Sequence, residues 1–116
     1  ALLRSHKLQK RAARVGFEWP DSVGPLEKLK EELAELDEAE TEEERLLEAG
    51  DVLVVAVNIV RRYGVDPEQA LRASNAKCER RFKVMEQLSK NEGEDFAALD
   101  LDRQEEYWQR AKRETG

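Results

Sequence analysis

The stretch that most constrains this chain is residues 26–63, LEKLKEELAELDEAETEEERLLEAGDVLVVAVNIVRRY, where two helical periodicities carry acids to the edge of an apolar core. Leu26, Leu29, Leu33 and Leu36 recur at steps of three and four, the spacing that stacks side chains on one helix face, and Glu32 and Glu35 flank them. Glu48 and Asp51 stand three apart directly before the apolar run Val52 to Val57, so a helix turns both carboxylates to one side. Thr41 with Glu44 three residues on reads as a capping box, which makes residues 40–45 a tight connection between antiparallel helices. Glu32 and Glu35 are then expected opposite Glu48 and Asp51.

Four carboxylates grouped at a buried edge repel one another unless cations or donors neutralise them. A hard divalent cation such as Mg²⁺, which takes oxygen ligands and keeps waters, suits such a set. An ExxE spacing alone carries little weight in a chain that is 40% charged, because any acidic helix surface contains it. Asp51 adds weight, lying between Ala49–Gly50 and six apolar residues; Gly50, costly inside a helix by about 1 kcal/mol, is expected to permit close helix approach. Glu48, Asp51, Asn58 and Arg62 form a polar stripe on this helix, for which a polar seam between subunits is the structural alternative.

The charge is sorted along the chain. Residues 27–51 hold 12 acids against 3 bases, while the whole chain has 26 acids and 20 bases. Such a distribution argues against duplex nucleic acid as the main partner, since phosphate-backbone binding needs a basic footprint. One cysteine cannot form an internal disulfide, and no signal peptide or 18-residue apolar span is present, so a reducing cytoplasm is expected with no membrane partner. A start at Ala1 suggests a fragment of a longer, tandem protein.

The remaining elements follow in order. Residues 1–15 read as a basic amphipathic helix ending at Gly16, with His6 expected at the surface. Phe17 and Trp19 in the loop GFEWP either plug the bundle or wall a base pocket, and the next helix starts at Ser22 or Pro25. Gly64 ends the helix of residues 42–63, and Asp66, Pro67 and Gln69 start another over 67–90, with Leu71, Cys78, Phe82, Met85 and Leu88 as its expected core face. Lys77 and Arg81 lie one turn apart with no acid three or four residues away on their own helix, a pairing suited to a polyphosphate or to a solvated basic face. Asn75 can orient a base or sugar, or face water. Residues 91–100 read as a polar linker and 102–114 as a final helix capped by Asp102, on which Trp108 and Lys112 share a face.

The fold expected from these elements is all-α. An antiparallel helical bundle completed by dimerisation is anticipated, because Val52 to Val57 present apolar groups all round a helix and a single chain of 116 residues has too few helices to cover them. A buried strand over this run finds no second strand to pair with.

Taken in order, RVGFEWP, KEELAE, EAGDVLVVAVN and GVDPEQALRASNAKCERRF resemble the MazG family of nucleoside triphosphate pyrophosphohydrolases, close to its C-terminal type of domain. The resemblance spans nearly the whole chain, with Cys78 standing where an aromatic residue is expected. It implies a single domain over residues 1–116, with a core to residue 90 and a linker and C-terminal helix over 91–116. It also implies hydrolysis of ribo- or deoxynucleoside triphosphates to monophosphate and pyrophosphate, with Mg²⁺ held by Glu32, Glu35, Glu48 and Asp51. Lys77 and Arg81 would then clamp phosphate, and Trp108 and Lys112 of the tail helix would line the pocket and reach phosphate. Two alternatives stand beside this: a related all-α pyrophosphohydrolase specific for dUTP or phosphoribosyl-ATP, and an inactive helical oligomerisation or nucleotide-sensing domain. Which carboxylate serves as general base is not decided by residue type.

Overall fold

The computed structural model describes residues 1–17 and 24–116. Among them are five α-helices and no strand: α1 (Leu2–Arg14), α2 (Pro25–Glu38), α3 (Glu42–Arg62), α4 (Pro67–Asn91) and α5 (Leu101–Thr115), with a 3₁₀ turn at Phe96–Ala98. The all-α expectation holds. The chain divides into two compact units, Ala1–Ala70 and Leu71–Gly116. Among the described residues, no helix is long and apolar enough to cross a membrane.

Local chemistry sets the boundaries. Gly16, at φ 82°, ends α1 by letting Phe17 N–H reach Ala12 O at 2.9 Å. Pro25 occupies the first turn of α2, where its missing N–H costs nothing. The Thr41 hydroxyl accepts from Glu44 N–H at 3.1 Å, and Glu44 Oε2 accepts from Glu40 N–H at 2.9 Å, one residue earlier than a standard capping box predicts. Asp66 caps α4 by accepting from Glu68 N–H at 2.9 Å. Asp100, not Asp102, caps α5, accepting from Arg103 N–H at 2.8 Å, because the 3₁₀ turn delivers the chain to the helix two residues early.

In the first unit, α2 and α3 form the expected antiparallel hairpin and α1 lies on α3. Val55, Val57 and Asn58 are buried, whereas Leu53 and Val54 of the same helix remain exposed. His6 departs from expectation: its side chain is only 14% exposed, with Nδ1 3.8 Å from Asp66 Oδ1. Gly50 departs too. A Cβ there would meet nothing within 4 Å, so the glycine serves no close approach among the described residues.

In the second unit, α5 packs on the later part of α4 around Met85, Tyr107 and Ala111, with Val84, Leu88, Phe96, Leu99 and Trp108 against them. Met85 and Leu88 thus belong to the core as expected; Leu71, Cys78 and Phe82 are exposed, because the packed face of α4 runs through Val84 and Ser89 instead. Glu94 ties this unit together. Arg103 donates to Glu94 through Nη2 at 2.6 Å and Nε at 3.2 Å, and the Tyr107 hydroxyl donates to Glu94 Oε1 at 2.7 Å. Arg110 donates to Glu92 at 2.8 Å.

These donors hold both carboxyls below the ordinary 4.5, chiefly Arg103 and then Tyr107 for Glu94, and Tyr107 and then Arg110 for Glu92. A depressed carboxyl stabilises the fold above its unfolded value, and that stabilisation is lost as pH falls through the folded one. The second unit is therefore expected to melt earlier once pH drops below about 4.5. Thermal melts followed by Trp108 fluorescence at pH 7 and pH 3 test this; Glu94→Gln should remove much of the difference, and an unchanged difference would contradict it.

Candidate metal centre

Glu32 is the charged side chain that α2 turns inward, and the residue is 6% exposed. One oxygen each of Glu32, Glu48 and Asp51 lies within 4.8 Å of the others, with Glu32 buried, Glu48 half-buried and Asp51 exposed. Glu35 joins them electrostatically: the negative charge of Glu32, partial desolvation and the neighbouring Glu48 push its carboxyl above the ordinary range. The hairpin thus brings together all four predicted acids, three within ligand reach of one another and the fourth coupled to two of them.

Sequence reasoning missed the cation in this cluster. Lys28 Nζ sits 3.1 Å from Glu32 Oε1 and 3.7 Å from Glu31, and the hydrogen bond to Glu32 leads the effects that raise its pKa. The signal was available in the four-residue step from Lys28 to Glu32, with Glu31 at three. One ammonium does not saturate the site. The second oxygens of both Glu32 and Glu48 are buried without a hydrogen-bond partner. Unmatched buried carboxylate oxygens cost several times more than exposed ones, and a hard divalent cation is the partner that removes the cost. Two oxygens across one Mg²⁺ span about 4.2 Å. The three carboxylate oxygens within 4.8 Å of one another are a donor set of the type such an ion takes.

The other predicted residues belong to other elements. Phe17 closes α1 and is 78% exposed, so it does not plug the bundle; Trp19 lies outside the described residues. Asn75, Lys77, Arg81, Trp108 and Lys112 all belong to the second unit. Asn75 and Lys112 are exposed and Lys77 half-buried. Arg81 lies 5.6 Å over the Trp108 ring and donates to Thr115 Oγ1 at 3.4 Å, while Phe82 meets Trp108 at 5.7 Å between centroids. Trp108 therefore packs α5 against α4, and Arg81 has partners on α5 although it has none on α4. In the first unit a cleft of about 280 Å³ opens between the start of α2 and the end of α3, lined by Pro25, Leu26, Ile59, Arg62 and Tyr63. It lies about two turns of α2, some 9 Å, from Glu32.

The nucleoside triphosphate pyrophosphohydrolase/pyrophosphatase MazG of Thermotoga maritima is 43% identical over 112 residues, 97% of this chain and 44% of that protein. The nucleoside triphosphate pyrophosphohydrolase of Escherichia coli K12 is 40% identical over 124 aligned residues, 98% of this chain and 45% of its own length. The uncharacterized protein YabN of Bacillus subtilis is 40% identical over 75 residues, 65% of this chain and 15% of that protein. The chain spans less than half the length of each of these relatives. No family model matches it.

Proposed function

We propose, from the premise that this chain belongs to the MazG family, that it is a single catalytic domain, residues 1–116, which hydrolyses nucleoside triphosphates to monophosphates and pyrophosphate with Mg²⁺. The observation that carries the reading is the pair of buried, unpartnered oxygens of Glu32 and Glu48 beside Asp51. Glu32, Glu35, Glu48 and Asp51 would hold the ion. When bound, Mg²⁺ supplies charge neutralisation at the phosphates and lowers the pKa of an attacking water.

The chain's own residues do the rest. Glu35, beside Glu32 and Glu48, would be placed to take a proton from water where it does not itself hold the ion. Lys28, held on Glu32, supplies a cation that can turn to phosphate when the acids are otherwise occupied. Lys77 and Arg81 would clamp phosphate oxygens, with Trp108, Lys112, Asn75, Phe17 and Trp19 contributing to the nucleotide pocket. Cytoplasmic location accompanies this reading. Incubating the chain with a nucleotide panel and Mg²⁺ and resolving the phosphorus products tests it. Monophosphate with pyrophosphate is expected; diphosphate with orthophosphate, or no turnover at all, would reject it, and turnover of dUTP or phosphoribosyl-ATP alone would give the narrower enzyme.

Self-association completes the proposal. Leu46, Leu47 and Leu53 on α3 are 74%, 63% and 61% exposed, and Leu26 and Leu33 on α2 are 68% and 48% exposed, more apolar surface than a single hairpin covers. Sedimentation at micromolar concentration is expected to show at least a dimer. Val55 is already buried within the chain, so a charge there would unfold the unit. Leu53→Asp is the cleaner probe, expected to yield a helical monomer; a wild-type monomer would refute the assembly.

A further inference from the structure

The two oxygens of Glu32 meet different surroundings. Oε1 accepts from Lys28 Nζ at 3.1 Å, whereas Oε2 is buried and has no hydrogen-bond partner among the described residues. The Glu32 side chain is 8% exposed, so water does little for the second oxygen. Lys28 is itself held in place. It stands one turn before Glu32 on α2, its side chain is 26% exposed, and Glu31 meets the same Nζ at 3.7 Å from the more exposed side. An ammonium seated between acids three and four residues on is in the register that favours such pairs on a helix.

Divalent cations differ in how they use a carboxylate. Ca²⁺ takes 6–8 oxygens at about 2.3–2.6 Å and accepts both oxygens of one carboxylate. Mg²⁺ needs near-octahedral geometry at about 2.0–2.1 Å, whose neighbouring positions are wider apart than the bite of a single carboxylate. Three carboxylates lie within ligand reach of one another here. Ca²⁺ would need bidentate contacts from such a set to approach its preferred number, while Mg²⁺ fills its remaining positions with water. A glutamate that presents one oxygen therefore favours the smaller ion.

We infer that Lys28 sets the metal selectivity of this centre: by occupying Glu32 Oε1 it leaves one oxygen to the ion and biases the acids towards Mg²⁺ over Ca²⁺. This rests on the metal-dependent function proposed above, and it concerns the site before nucleotide arrives, when no phosphate competes for the ammonium. Lys28 is then a positioning residue that acts on the ion through Glu32. Its charge alone gives no such bias, because one ammonium repels two ions of equal charge to nearly the same degree. The occupied oxygen does.

Calorimetric titration of the full chain with Mg²⁺ alone and with Ca²⁺ alone, in the absence of nucleotide, tests this in wild type, Lys28→Met and Lys30→Met. Lys30 carries the same charge on the same helix, but its side chain is 73% exposed and pairs with Glu27 at 3.3 Å, so Lys30→Met is the charge-matched control. In Lys28→Met both affinities should rise as the charge is removed. That for Ca²⁺ should rise about tenfold more than that for Mg²⁺, because Glu32 can then turn both oxygens to the larger ion. The control should move the ratio of the two affinities by less than about twofold. A ratio unmoved in Lys28→Met, or moved equally in the control, would overturn the inference while Mg²⁺ binding and the proposed function stand. A wild type that binds neither ion would sink the metal centre and the inference together. Should Lys28→Met fail to fold without ion, Lys28→Gln carries the same comparison, since its neutral amide can pair with Oε1 yet yields it to a divalent cation.

Discussion

Asp51→Asn is expected to abolish most activity without weakening the metal-free fold. The carboxylate of Asp51 is exposed and faces Glu32 and Glu48 within 4.8 Å, and among the described residues it has no partner to lose. Removing its charge relieves repulsion on the cluster, so the metal-free melting temperature should stay constant or rise. On the proposed function the same change would delete one ligand of the ion, and kcat/KM should fall by at least on the order of 10²-fold. For the wild type, Mg²⁺ at a hundredfold excess over its Kd is expected to add about 2.7 kcal/mol of stability, and the mutant should gain less. Double replacements with Glu48→Gln should be far from additive, because the two acids would share one ion. Melts with and without Mg²⁺ beside a pyrophosphate-release assay measure all of this. An active mutant with an unchanged metal response, or one that is destabilised by several kcal/mol without metal, would make Asp51 a structural acid and remove the site.

How much of this was legible in the sequence depends on the scale of the interaction that decides each point. Caps and turns at Thr41, Gly64 and Asp66 are set by neighbours within four residues, and these fall where the residue types indicate. The convergence of the acids was legible for the same reason, since a short connection fixes the register of the α2–α3 hairpin. Which face of α2 turns inward was not. The leucine stripe suggested Leu26 and Leu33, yet both are exposed and Glu32 is buried, because Lys28 one turn away meets its charge. Gly50 misled in the opposite way: a helix glycine implies a close neighbour, and the chain supplies none within 4 Å. His6 was unreadable because its partner Asp66 lies 60 residues away, where no periodicity connects them. The residues of α5 were visible as a helix, but the Glu94 clamp was hidden in a segment that composition alone marks as linker.

That clamp makes Tyr107→Ala the most damaging single substitution expected in the second unit. Tyr107 is fully buried, its ring lies 4.8 Å from the Arg103 guanidinium and 5.2 Å from that of Arg110, and Phe96 meets its edge at 6.4 Å. Burial, with the Glu92 and Glu94 carboxylates beside it, holds the phenol protonated well above its ordinary range, so the hydroxyl remains a donor to Glu94. Truncation to Ala removes the largest core side chain of the unit, which in comparable cores costs about 3 to 5 kcal/mol. It also takes one donor from Glu94. Tyr107→Phe keeps the ring and loses only the hydroxyl, for which about 1 kcal/mol is expected, since Arg103 still holds Glu94 at two nitrogens. Hydrogen exchange separates the two outcomes. In Tyr107→Ala, residues 96–115 should lose protection while the α2–α3 hairpin keeps its own, because the acid cluster is built within residues 1–70. Mg²⁺ should then still stabilise the hairpin, whereas turnover should fall if Arg81, Trp108 and Lys112 meet the nucleotide. Full protection of α5 in the alanine variant would show that Met85, Ala111 and the ion pairs suffice without the ring; loss of Mg²⁺ binding would show that the acids need an intact second unit.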